Sequence, residues 1–395
     1  MGAKVGTMGK VERWQTNGFG LYVHWPFCQS KCPYCDFNSH VSASIDQDIW
    51  RNAYLSELRR YAVETPGRVL NSIFFGGGTP SLMPPATVEA IIAEAGKLWQ
   101  FANDIEITLE ANPTSVEIDR LIAFRTAGVN RVSIGVQALN DLDLRRLGRT
   151  HGAAEARTAI SVAQKVFDRT SFDLIYARQD QSLRSWEREL NEALALSGDH
   201  LSLYQLTIEP GTVFGARFER GQLHGLPDEN LGADMFEATQ SACESAGRPA
   251  YEVSNHAKPG MESRHNTIYW RCGDYIGVGP GAHGRLTDAH DQRVSTVCVS
   301  QPSTWLETIR NGSSPEAERE SLDKRAQGTE LLVMGLRMTQ GVRISEYKSL
   351  VGAELPRERV ERLLDLGAIK IMDDTLQTTF AGRLVLNEVI RQLID

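Results

Sequence analysis

Three cysteines fall within eight positions near the amino terminus, in residues 24–37, which read HWPFCQSKCPYCDF. Cys28, Cys32 and Cys35 are half of the six cysteines in the chain, and Cys243, Cys272 and Cys298 are scattered. Scattered cysteines read as small buried side chains. A cluster of thiols in a reducing compartment reads instead as metal or redox chemistry. A structural zinc site takes four protein ligands, and only His24, Asp36 or His40 stands near enough in sequence to complete the set. The spacing, three residues and then two, differs from the usual zinc pairs. Iron–sulfur clusters are held by cysteine thiolates, and three of them on a four-iron cube leave one iron for an external ligand. Zinc and an open iron–sulfur centre are therefore the competing readings.

The elements that would position such a centre recur regularly. Residues 20–24, 72–75, 105–110, 131–136, 172–176 and 200–206 are short runs of β-branched and aromatic residues and read as strands. Segments at helical spacing lie between them, as in Ile118, Leu121 and Ile122, or Ile160, Ala163, Val166 and Phe167. Another runs through Leu231, Met235 and Phe236 and stops at Gly247. Alternating strand and helix implies a parallel sheet, either doubly wound or closed toward a barrel. A polar or glycine residue follows nearly every strand, where a barrel carries its chemistry. The expected fold is α/β, with a partial (β/α)6 barrel over residues 18–290 after a tail of residues 1–17. Residues 291–320, with a Gly-Ser-Ser-Pro turn cluster, read as a linker. Residues 321–395 give helices, a hairpin and a closing helix, a small α+β domain resembling a winged helix.

Composition bounds the partners. The chain has 395 residues, of which 41% are hydrophobic and 23% charged, so it is long enough for more than one core. A net charge of −8 argues against a nucleic-acid backbone binder. Basic and acidic residues balance in the winged-helix-like part, so packing or partner docking is preferred to DNA binding there. No apolar run approaches the roughly 20 residues that span a bilayer, and the first 19 residues lack the apolar segment of a signal peptide. The chain reads as cytoplasmic, without an integral membrane segment.

The Cys28–Cys32–Cys35 spacing with Tyr34 before the last cysteine resembles the radical S-adenosylmethionine (radical SAM) superfamily. That resemblance implies a [4Fe-4S] cluster on the three cysteines and SAM on its open iron, cleaved by an electron to a 5'-deoxyadenosyl radical. The stretch FFGGGTPSL after the second strand is similar to the family's loop for the SAM amino group. LYVHWPFC, GGGTPSL, EANP, RVSIGVQ, RRLGRTHG, FDLIY and LYQLTIEPGT together resemble one branch, the coproporphyrinogen III oxidase-like proteins HemN and HemW. On that resemblance Tyr22 and Tyr34 flank the cluster and SAM. Gly77, Gly78 and Thr79 meet the methionine end, and Glu110, Gln137, Arg149 and Asp173 line the rest of the pocket. The plainer reading of Glu110, Asp173 and Arg149 is strand-end carboxylates satisfied by backbone and a surface ion pair.

Two functions compete within the branch: oxygen-independent coproporphyrinogen III oxidation, and haem delivery without that reaction. The HemN side carries a further cysteine where this chain has Phe37, and a longer segment before the cluster than the 27 residues here. The stretch HNTIYW at residues 265–270 looks like the H-N-x-x-Y-W motif of the HemW side, which implies haem on His265 with Tyr269 and Trp270 beside it. The plainer reading makes His265 a satisfied loop histidine. His283, in a glycine-rich turn, ranks second. The expectation is a haem chaperone with a [4Fe-4S] cluster, SAM and haem, whether or not it is also an enzyme. Its partners are haem-accepting proteins, with membrane-bound respiratory enzymes among the candidates. One departure stands out: after FDLIY the family usually continues Gly-Leu-Pro, and this chain has Ala177-Arg178-Gln179.

Overall fold

The computed structural model describes residues 12–42, 44–114, 119–288, 290 and 292–394. Most of the expected tail, residues 1–11, and Ile118 of one expected helix lie outside them. Each of the six expected strands is present: β1 (Phe19–Trp25), β4 (Val69–Gly77), β5 (Gln100–Ala111), β6 (Arg131–Gln137), β7 (Arg169–Tyr176) and β8 (His200–Gln205). Two short strands, β2 (Phe27–Cys28) and β3 (His40–Val41), bracket the cysteine loop and pair in parallel. The six long strands pair in parallel in chain order, β1 to β4 and onward to β8.

Helices Gln47–Glu64, Pro85–Leu98, Leu121–Thr126, Ala153–Val166 and Leu183–Leu196 fill the crossovers. Asp46 starts the first by accepting from the Ile49 N–H at 3.1 Å, a side-chain N-cap. The strands present alternate residues to the helices: Leu21 and Val23, Ile73 and Phe75, Ile107 and Leu109, Val132 and Ile134, Phe172 and Leu174, Leu201 and Leu203 form one core with the helix faces. The other alternation is polar or aromatic, and it lines the concave side. The result is the expected α/β fold, a partial (β/α)6 barrel.

The sheet continues past β1. There β10 (Asp274–Val278) pairs in parallel with β1, and β11 (His283–Thr287), β12 (Arg293–Cys298) and β13 (Glu316–Ser321) follow antiparallel. At the other edge β9 (Asn255–Ala257) closes on β8, giving an eleven-stranded open sheet. This corrects the expected linker at residues 291–320, which supplies two strands and the helix Pro302–Arg310. Trp305 of that helix is fully buried and stacks on Trp50 at 5.4 Å between ring centroids. The physical reason is burial of Trp305, a core side chain that no flexible linker would carry.

The C-terminal part has its own core, including Leu332, Leu336, Val342, Leu376 and Val389. Helices Lys324–Gly335, Ile344–Val351, Arg357–Asp365 and Leu386–Ile394 surround a three-stranded sheet of β14 (Val342–Arg343), β16 (Thr375–Thr378) and β15 (Ile369–Met372). The expected hairpin is β15–β16, turned at Asp373 with φ 53°. A buried ion network fastens this part to the barrel. Arg293 bridges Asp274 of β10 at 3.1 Å and Glu330 at 2.7 Å. Among the described residues no helix is long and apolar enough to cross a membrane.

Candidate functional site

A cavity of about 450 Å³ opens at the C-terminal ends of the parallel strands. Cys28, Cys32 and Cys35 face it from the loop between β2 and β3, all half-buried and unpaired. Burial pushes the Cys28 and Cys35 thiols up, and the Thr79 hydroxyl donates to Cys28 Sγ at 3.3 Å in the opposite direction. Tyr34 lines the same wall, with hydrogen bonds to Cys32 and Arg149, and packs on Phe214 at 6.4 Å. Phe37 is 58% exposed at the mouth.

The glycine loop is shaped by its neighbours. A Cβ at Gly77, where φ is +110°, would stand 2.6 Å from the His24 ring, and one at Gly78 would stand 2.8 Å from the Phe27 carbonyl oxygen. Glycine there lets the end of β4 lie directly against β1 and the cysteine loop. The Gly77 N–H donates to the Glu110 carboxylate.

Glu110, Gln137, Arg149 and Asp173 line the cavity as expected. Burial, then the charge of Asp173, pushes Glu110 up to about 8, offset in part by the Gly77 N–H and Arg131. Burial pushes Asp173 up to about 6 despite hydrogen bonds from Ser202 and Ser133. Both carboxyls of this wall are thus raised chiefly by burial. Gln137 holds φ at 71°, unusual for a non-glycine residue.

Arg149 is the hub of the opposite wall. It donates to Cys32 Sγ at 3.3 Å, to Asn112 Oδ1 at 2.5 Å and to the Gly135 carbonyl at 2.9 Å. Asn112 in turn donates to Thr79 Oγ1 at 3.3 Å. Two of the three thiols are thus joined through Thr79, Asn112 and Arg149. Arg149 Nε is buried without a protein partner. Asn112 was missed from sequence, although its place in EANP, two residues after Glu110 and just past the end of β5, was a signal.

Two assigned residues lie elsewhere. Tyr22 sits below the cavity, its hydroxyl 3.1 Å from His24 Nδ1, and it stacks on Phe74 and His265. His24 is buried, and its Nε2 meets the Asn38 carbonyl at 2.9 Å, so both ring nitrogens are engaged away from the thiols. The Nε2 of His40 meets Asn38 Oδ1 at 3.0 Å.

His265 lies beneath the cavity and not on its wall. It is 1% exposed, with Nδ1 2.8 Å from Ser72 Oγ and Nε2 2.8 Å from the Tyr269 hydroxyl. Its helix, Arg264–Trp270, closes the floor of the barrel, where Glu106 accepts the N–H groups of Arg264 and His265 at 3.0 and 3.3 Å. Burial pushes its imidazole down to about 3, so it is neutral, with both ring nitrogens within hydrogen-bond distance of protein hydroxyls. His283, at the start of β11, is exposed outside the cavity lining, close enough to His24 to lower its pKa after burial and His40 have done so.

A parallel barrel with polar inward faces, opening on three loop thiols after its first strand, defines a radical SAM protein. The model of the Radical SAM superfamily matches residues 22–193, and that of the HemN C-terminal domain matches residues 322–385. The chain is 36% identical over 374 residues to the heme chaperone HemW of Escherichia coli (strain K12), covering 94% of this chain and 96% of that one. It is 36% identical over 391 residues to the Radical S-adenosyl methionine domain-containing protein 1, mitochondrial, of Bos taurus, covering 95% and 87%. The solved coproporphyrinogen III oxidase HemN of Escherichia coli shares its fold with a TM-score of 0.80 at 22% identity, over 95% of this chain and 89% of that one. The chain belongs to the HemN/HemW family.

Proposed function

We propose that this chain is a haem chaperone that holds a [4Fe-4S] cluster on Cys28, Cys32 and Cys35 and SAM in the cavity beside them. The observation that carries the cofactor reading is the meeting of three half-buried thiols with Glu110, Gln137, Arg149 and Asp173 on one cavity. The donor set fits a cluster with three protein ligands, because both nitrogens of His24 are bonded elsewhere. When bound, such a cluster supplies an open iron and a reducing electron. The protein's own part is positional. Arg149, with one buried N–H free of protein partners, would pair the SAM carboxylate, while Glu110 and Asp173 would accept from its ammonium and ribose hydroxyls. Tyr34 and the Gly77–Gly78 turn would bound the ligand on the cluster side.

Haem delivery is supported by the relatives named heme chaperones and by Phe37 standing where the HemN branch has a further cysteine. His283 is an exposed imidazole at the start of β11 and is the axial ligand in this reading. Its recipients would be haem-accepting proteins, membrane-bound respiratory enzymes among them. Six unpaired thiols suit the reducing cytoplasm.

Anaerobically reconstituted protein is expected to hold about four irons per chain and to lose its cluster absorbance in Cys32→Ala. Full absorbance in that variant refutes the ligand set. Haem added to the same preparation should show a Soret shift in His283→Ala and none in His265→Ala, and the reverse pattern would mean that the barrel floor opens. Turnover of coproporphyrinogen to protoporphyrinogen under anaerobic reduction would replace the chaperone reading with the oxidase.

A further inference from the structure

Arg178 lies buried in the turn after β7, its side chain 3% exposed, on the outer side of the cavity wall. Its guanidinium donates to the Asp143 carboxylate at 2.8 Å, to the Glu189 carboxylate and to the Ile175 carbonyl. Glu189, in helix Leu183–Leu196, also accepts the Leu139 N–H at 2.6 Å. One cation therefore ties together the connection after β6, the turn after β7 and the helix that follows it. The turn is held in an uncommon backbone state, with φ 57° at Ala177 and 56° at Asp180. Such a state persists where its surroundings enforce it.

Asp143 belongs to the short helix Asp141–Arg146, where Asn140 caps the Asp143 N–H at 2.9 Å. The far end of that helix delivers Arg149, whose N–H returns to the Leu144 carbonyl at 2.8 Å. Between them Gly148, at φ +68°, rests on the cysteine loop so closely that a Cβ would stand 2.6 Å from Pro33 Cδ. A movement of this helix therefore reaches both Arg149 and the residue beside Cys32.

We propose that Arg178 is a positioning residue of the cavity: by neutralising Asp143 and Glu189 it fixes the helix that carries Arg149 to the ligand and to Cys32. Without it two carboxylates face one another in a buried place. The other cation near Asp143 is Arg146, at 3.7 Å and half-exposed, and Glu189 keeps only the neutral donors Leu139 N–H at 2.6 Å and Gln181 at 3.3 Å. Repulsion then drives the helix outward. The inference rests on the reading of the cavity as a SAM site.

The test is SAM affinity of the anaerobically reconstituted full chain, with iron content and melting temperature recorded for each variant. Arg178→Met is expected to weaken SAM about tenfold at unchanged iron content, a coupling typical of residues outside a ligand's own contacts. The Arg178→Met/Arg149→Gln double variant should bind no more weakly than Arg149→Gln alone, because the first acts through the second. If Arg178→Met does not fold, Arg178→Lys, which keeps the charge but not the three-way fork, should lose about threefold. Additive losses in the double variant, or a lowered melting temperature with unchanged SAM affinity, overturn the positioning role. Absence of SAM binding by the wild-type chain would instead overturn the reading of the cavity, and the inference with it.

Discussion

Raising the pH is expected to tighten binding of the SAM proposed for the cavity, and Glu110 to set the size of the effect. Burial holds this carboxyl at about 8, with Asp173 adding to the shift and the Gly77 N–H and Arg131 opposing it. At about pH 6.5 some 97% of Glu110 is protonated, and at about pH 8.5 roughly a quarter. A cation that requires the carboxylate must displace that proton, so the penalty on binding falls about 25-fold between the two, or about 2 kcal/mol. Asp173, pushed to about 6, adds a factor of only about 1.3 over the same interval. The ligand's own amino group titrates in this window, so the decisive quantity is the affinity of wild type relative to Glu110→Gln, in which the ligand's titration cancels. Calorimetry on reconstituted protein should show this ratio rising about 25-fold, with about 0.9 proton released by Glu110 on binding near pH 7. A ratio that stays flat across the interval refutes the claim that Glu110 is neutral in the free site and ionised beside the ligand. The sign carries over to folding. A carboxyl raised in the fold stabilises the ligand-free protein below its unfolded pKa and gives that up as the pH passes through about 8.

Two further outcomes concern stability. Asp274 is fully buried and accepts from Arg68 at 2.6 Å, Arg293 at 3.1 Å and the Thr287 N–H at 2.8 Å, so Asp274→Ala takes from buried Arg68 its carboxylate and leaves Arg293 with the Glu330 carboxylate alone. Urea unfolding should show a loss of about 3–5 kcal/mol, and a loss under about 1 kcal/mol would refute the network's part in docking the C-terminal domain. His256 is buried with neither ring nitrogen bonded, and burial followed by Arg383 pushes it down to about 3. It stays neutral in the fold while the unfolded chain takes up a proton below about pH 6.5, so stability is lost as the pH falls, about 2 kcal/mol by pH 5. His256→Leu should be less acid-sensitive by that amount, and equal pH slopes for the two proteins would refute it.

How far the sequence reaches follows from which interactions are local. The six parallel strands were legible because their helix-facing residues, Leu21 and Val23 or Ile107 and Leu109, are apolar at a spacing of two. The cysteine loop was legible because its chemistry is a matter of spacing within eight residues. β13 was not: five of its six residues are exposed, so its Glu-Ala-Glu-Arg-Glu-Ser run carries no apolar alternation and reads as a linker. The polar barrel interior left a trace that went unused, the alternations Glu106-Thr108-Glu110, Arg131-Ser133-Gly135 and His200-Ser202-Tyr204. His265 shows a different limit, a motif whose spacing does not give the direction of its side chain. Whether that imidazole faces a ligand or the core is decided by Glu106, far upstream in the chain, which takes the N–H groups opening its helix, and by Ser72, which takes its Nδ1. Arg178 belongs to the same class. Nothing within Ala177-Arg178-Gln179 indicates a clamp until Asp143 and Glu189, each brought in by a different helix, supply the two charges that hold it.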